Sequence, residues 1–176
     1  MRINISSNFE EVAAKFDALN TEMMDATQPL RAFGAIMQKD IGDQFESEGG
    51  AFGEPWQPLK HETILRRERK NMRAVEKRYG KRKAHGLMGQ AMAGVVPILR
   101  DTGILFGSIR QLDLTQRSVT IGTDLIYAST HQYGDKKRNI PKRQFIPEDL
   151  SDDEEAQLMN LFESWMQEAV SRSGLT

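Results

Sequence analysis

The chain contains no cysteine. That excludes disulfides, thiolate zinc sites and thiol nucleophiles, and it leaves a reducing cytoplasm as the natural folding compartment. Histidine is scarce as well: His61, His85 and His131 are scattered, and no two stand at the spacing of a helical or hairpin metal site, so neither metal nor cofactor is expected. Long apolar runs are missing. The longest weakly charged stretch, Gly86 to Leu99, has 14 residues and carries three glycines and Pro97, whereas a membrane span needs about 20 apolar residues. No membrane partner is expected. The opening MRINISSNFEEV lacks a basic segment leading into an apolar one, so it does not read as a secretory signal.

Catalytic patterns are equally thin. Gly86, Gly89 and Gly94 lack the Lys-Ser/Thr ending of a phosphate loop and follow no recognisable strand. Ser108 follows Gly107 but is not set in a nucleophile elbow. The carboxylate pairs Asp152-Asp153 and Glu154-Glu155 are accounted for by helix capping and solvation. The expectation is a protein that is not an enzyme, with no catalytic residue.

What is present is a segregation of charge. Residues 1–59 hold four basic and ten acidic side chains, residues 60–143 nineteen and seven, and residues 144–176 one and eight. An acidic-basic-acidic order gives one subunit oppositely charged faces, which favours head-to-tail self-association or a basic surface facing nucleic acid, unless all three are simply solvated. A length of 176 residues fits one domain, 1–176, able to bury about 70% of its unfolded surface.

Apolar periodicity predicts a first helix through Phe9, Val12, Ala13, Phe16 and Leu19, with Ser7 or Asn8 as its cap. A second helix, opened by Pro29, carries Leu30, Phe33, Ile36, Met37, Ile41 and Phe45 and ends at Gly49-Gly50. The Gly- and Pro-rich segment from Gly49 to Leu59 reads as an irregular connection pinned by Trp56. From His61 to Lys83 the chain is dense in charge, with Ile64, Leu65, Met72, Val75 and Tyr79 as its few apolar anchors. That pattern reads as an exposed helix or a mobile arm, a basic arm over residues 60–93. Asp101 or Thr102 is positioned to cap a short helix. Ser108 to Leu114 and Ser118 to Thr123 alternate as a hairpin, and Gln144 to Ile146 suggests another short strand. Ser151 and Glu154 form a capping box for a final helix whose core face is Leu158, Leu161, Phe162, Trp165 and Val170. The fold class is α+β: N-terminal helices, a small, mainly antiparallel sheet, a C-terminal helix and an exposed basic arm.

The segment Tyr127 to Gly134 is the most suggestive for chemistry, since His131 there has the residue type of a general base or metal ligand. No second ligand or nucleophile lies nearby in sequence, which favours His131 and Tyr133 as hydrogen-bonding residues fixing a turn.

Several separated strings together resemble one family. Trp56-Gln57-Pro58-Leu59 with Thr63, Ile98 to Leu105 leading to Ser108-Ile109, Val119 to Thr123, Tyr127-Ala128 with His131-Gln132-Tyr133-Gly134, and Pro141-Lys142-Arg143-Gln144-Phe145-Ile146 occur in order over roughly residues 49–150. They resemble the virion-morphogenesis or tail-completion family of Mu-like and related tailed phages. One departure stands out: that family's Pro-Ala-Arg-Pro-Phe type string reads Pro141-Lys142-Arg143-Gln144-Phe145 here, without the second proline.

The resemblance implies a virion component made in the host cytoplasm and acting late in assembly, a ring-forming tail-completion or tail-terminator subunit at the neck, most simply sixfold. Its implied partners are further copies of itself, tail-tube and head-tail connector proteins, and DNA passing through the lumen; a head-completion or connector role is the alternative. It further implies Trp56 and Phe145 as apolar anchors, Gly103, Gly122 and Gly134 as permissive turns, and Tyr127 and Tyr133 with buried rings and polar tips, with His131 among the same fold or subunit-contact residues. The basic residues Arg66, Arg67, Arg69, Lys70, Arg73, Lys77, Arg78, Lys81, Arg82 and Lys83 face either an acidic neighbour or DNA. A different class of function, an independent nucleic-acid-binding module, would use residues 66–83 with Tyr79 as a stacking platform.

Overall fold

A computed structural model describes residues 9–81 and 97–174. In chain order its elements are helices α1 (Phe9–Met23) and α2 (Thr27–Glu46), a 3-10 turn (Gly50–Phe52), helices α3 (His61–Tyr79) and α4 (Ile104–Ser108), strands β1 (Arg110–Leu114) and β2 (Val119–Gly122), and helices α5 (Ala128–Tyr133) and α6 (Asp152–Ser173). This is the expected α+β order of helices, a small antiparallel sheet and a C-terminal helix. The chain divides into two compact units, one of Met1–Lys39, Arg110–Gly122 and Glu148–Thr176, the other of Asp40–Ile109 and Thr123–Pro147.

In the first unit α1 packs on α6. Lys15 donates to the Gly174 carbonyl at 3.2 Å and Arg172 Nε to Glu22 at 2.8 Å, so polar groups share in tying the two helices together. The face expected to be α1's core is only partly covered, with Val12 and Phe16 exposed. The expected caps Ser7 and Asn8 lie outside the described residues. Helix α2 starts earlier than expected, at Thr27, because Asp25 accepts from the Thr27 N–H and hydroxyl, and Pro29 falls in the first turn, where its missing N–H costs nothing. Those two bonds from Thr27 also lower the Asp25 pKa.

Leu30, Phe33 and Met37 are buried at helical spacing. A Cβ on Gly34 would come within 3.1 Å of Val119 and 3.2 Å of Gln111, so α2 and the hairpin approach closely at this glycine. The hairpin pairs Arg110 with Gly122 and Leu114 with Val119, and its register shifts between Gln111 and Asp113. Gly122 is a strand residue and not the expected turn; a Cβ there would meet Leu112 at 3.1 Å.

The capping box at α6 is formed as predicted: Ser151 N–H donates to Glu154 at 2.6 Å and Glu154 N–H to the Ser151 hydroxyl at 3.3 Å. Trp165 and Ala169 are buried on the core side, with Phe162 edge-on to Trp165 at 5.9 Å. The flank beside them is not polar throughout, and Val170, expected on the core face, is only part-buried there. Met159 is exposed, and Met166 and Val170 line an open groove with Glu163 and Gln167.

The second unit is organised on the C-terminal end of α2. Ile41, Gln44 and Phe45 are buried there, and the Phe45 ring lies 5.4 Å from each of Trp56, Phe106 and Phe145. The chain leaves the helix through Glu48 and Gly49, both at positive φ, and a Cβ on Gly49 would sit 2.6 Å from the Glu54 carbonyl and the Trp56 nitrogen. Only glycine permits that reversal. Helix α4 is capped by Gly103 and not by the side chains expected; Thr102 makes a 3.4 Å contact to the Ile104 N–H, while Asp101 is turned to α3. The expected strand at Gln144–Ile146 is not a strand.

Candidate functional site

What replaces that strand is a side chain. Gln132, on the buried side of α5, accepts from the Phe145 N–H at 3.0 Å and the Ile146 N–H at 3.1 Å, and donates to the Ile146 carbonyl at 2.6 Å. One amide group thus serves three backbone groups that a neighbouring strand would otherwise serve. Gln44 acts in the same way, donating to the Gln144 carbonyl at 2.9 Å and accepting from the Phe52 N–H at 2.9 Å. The Trp56 indole N–H donates to the same Gln144 carbonyl at 2.9 Å. Trp56 and Phe145 therefore sit together in the aromatic cluster, joined through backbone as well as through rings.

Helix α5 brings the remaining residues of the segment to different places. Gly134 holds φ 77°, and a Cβ there would approach the Lys142 nitrogen to 2.7 Å. Gly103 also has positive φ but stands in open space. The Tyr127 and Tyr133 rings, expected to be buried, are exposed, Tyr133 at 67% of its surface. They offer contact area and no core.

His131 is half-buried, edge-on to Tyr127 at 6.2 Å, and its carbonyl accepts from the Arg143 N–H at 2.8 Å. Burial lowers its pKa, and Arg143, Arg138 and Arg67 lower it further, all of which favours the neutral imidazole. Its Nδ1 is buried without a hydrogen-bond partner among the described residues. A general base needs an orienting acceptor at that nitrogen, and the surrounding guanidinium groups disfavour the imidazolium that proton abstraction creates. Arg143 itself is buried, with its guanidinium on the Gln57 carbonyl at 3.0 and 3.2 Å and its pKa lowered by burial and by Arg67. Among the described residues no group of three or more His, Asp or Glu side chains is placed to hold a metal ion.

The strongest surface feature is α3. None of its residues is buried. Arg66, Arg69, Lys70, Arg73 and Lys77 recur at helical spacing and share one exposed face spanning about 100°. Arg67 belongs to a different face: its side chain is 13% exposed, it donates to the Pro97 carbonyl at 2.7 Å, and it lies 3.8 Å from Asp101. Lys70 reaches Asp101 as well, at 3.0 Å. Asp101 is thus a clamp that fixes the helix, a role hidden in the sequence behind its likeness to a cap. Arg78 lies over the Tyr79 ring at 5.3 Å, so one face of that ring is already covered. Lys81 is exposed, and Arg82 and Lys83, with the rest of the expected arm to residue 93, lie outside the described residues.

Among the described residues no helix is long and apolar enough to cross a membrane. A family model described as the phage virion morphogenesis family matches residues 7–167. Among curated proteins and solved structures nothing matches the chain.

Proposed function

Because this chain belongs to the phage virion morphogenesis family, and so has a structural, assembly role in the virion, we propose that it is a tail-completion or tail-terminator subunit at the head-tail junction. Copies close head-to-tail into a ring, most simply sixfold, that seats on the tail tube, meets the connector proteins and leaves a lumen for DNA. The observation carrying this reading is the family match over most of the chain. It is supported by opposite charges carried on different helices, basic on α3 and acidic on α6, which gives each copy two different patches for a heterologous contact. A head-completion role would use the same chemistry one position higher in the neck.

Removal of the gene from the phage separates the two. A tail-completion or terminator subunit leaves DNA-filled heads beside tails that do not join or that vary in length. A head-completion subunit leaves finished tails beside heads that lose their DNA. Electron microscopy of the particle should show a closed ring with at least about 800 Å² buried per partner at each contact. An isolated copy, or a twofold pair, would sink the ring.

A further inference from the structure

We propose that the basic face of α3 in one copy lies along the outer face of α6 in the next, and that this helix pair is the repeating contact of the ring. The proposal rests on the assembly reading above and specifies the surfaces it uses.

The donor face is Arg66, Arg69, Arg73 and Lys77, with Lys70 at its edge; among the described residues none of the first four is in an ion pair. The acceptor face is the flank of α6 beside Trp165 and Ala169. There Asp152, Glu155 and Glu163 recur on one face, with Met159 between Glu155 and Glu163 and with Met166 and Val170 continuing the strip beyond Glu163. Met159 is 59% exposed, and the groove formed by Glu163, Met166, Gln167 and Val170 is almost wholly apolar in its lining.

The two faces match in sign and in length. Arg66 to Lys77 and Asp152 to Glu163 are each eleven residue steps, about 16 Å along a helix. The chemistry matches as well. Arginine stems are apolar while their heads are charged, so laid along α6 they cover the methionines and place guanidinium groups on the carboxylates. Methionine adapts its shape to such a partner.

DNA is the competing occupant of α3, and two observations weigh against it. One of the two faces of the Tyr79 ring, the platform a base would stack on, already carries Arg78. DNA would also leave the apolar strip on α6 uncovered. Because donor and acceptor are different surfaces, each copy offers one of each, and the contact repeats until the ring closes.

The test is a charge exchange in the full-length chain, supplied to a phage lacking the native gene. One variant carries Arg66→Glu, Arg69→Glu and Arg73→Glu; the other carries Glu155→Lys and Glu163→Lys. Each alone should lower infectious yield at least about tenfold, because like charges then face each other at every junction. Supplied together they should restore yield to within about threefold of native, since the reversed α3 meets the reversed α6 in an alternating ring. A contact within one chain cannot be rescued in that way.

If the mixture does no better than the single variants while both keep the native circular dichroism and thermal midpoint, the proposal is wrong. It is equally wrong if only the α3 variant is defective, the outcome expected for a nucleic-acid contact. Should either variant misfold, a second measurement decides: Arg73→Cys with Met159→Cys in this cysteine-free chain, bridged in assembled particles by a short bismaleimide. A ladder of covalent multimers supports the contact, and monomer alone overturns it. If deleting the gene leaves particle yield unchanged, it is the assembly reading that fails, and that outcome is distinct from the others.

Discussion

The end of α2 and the whole of α3 lie in the same compact unit and use opposite means. At the end of α2, Phe45 is fully buried among three aromatic rings, and the amides of Gln44 and Gln132 answer backbone groups one by one. Along α3 no residue is buried, and the helix is tied by Arg67 and Lys70 to Asp101 and the Pro97 carbonyl. The first region spends its side chains on the chain's own shape. The second keeps most of its charge facing outward, where it contributes little to folding and stays open to a partner. Stability and assembly should therefore be separable by mutation.

The largest effect is expected at the aromatic cluster. Phe45→Ala should destabilise the chain by about 3–5 kcal/mol in denaturant titration, because it empties the centre of three ring contacts. A loss below about 1 kcal/mol would show that the cluster is not the core of its unit. Gln132→Ala should follow, at about 2–4 kcal/mol, since it strands the Phe145 and Ile146 N–H groups and one carbonyl. Gln132→Glu, which keeps the acceptor but not the donor, should recover part of that loss.

A smaller effect is a pH dependence. The folded pKa of His131 is lowered, so the unfolded chain binds the proton more readily. Stability should fall as pH drops below the ordinary histidine value near 6.5, until the folded pKa is passed. His131→Gln should flatten that part of the profile; an unchanged slope would assign it to other groups. The smallest stability effect belongs to α3. Arg66→Gln, Arg69→Gln, Arg73→Gln and Lys77→Gln together should leave the thermal midpoint in place while reducing particle yield. A large loss of midpoint would erase the contrast between the two regions.

Much of the fold could be read from the residues. The apolar spacing of α2, the Ser151–Glu154 box and the hairpin each rest on a local rule, and all three are formed. What escaped reading depends on partners distant in sequence. Gln132 stands beside His131, which drew attention by its residue type, and nothing local marks it as the surrogate for a strand some fourteen residues away. Asp101 resembles a helix cap until Lys70, 31 residues earlier, is placed beside it. The family resemblance implies buried rings for Tyr127 and Tyr133, yet α5 turns Ala128 and Gln132 inward and leaves both rings outside. The α1 pattern marked an apolar face correctly but not that Phe16 would stay 57% exposed.

The Gln144 carbonyl, shared by Gln44 and Trp56, bears on a place where the sequence departs from the string it resembles, the missing second proline. Its contacts in that knot are made by the backbone oxygen and not by the side chain. A proline keeps that oxygen, so the knot is blind to the difference between the two residues. At a backbone angle that suits proline, the exchange would be felt mainly in the freedom of the unfolded chain, which proline restricts and glutamine does not.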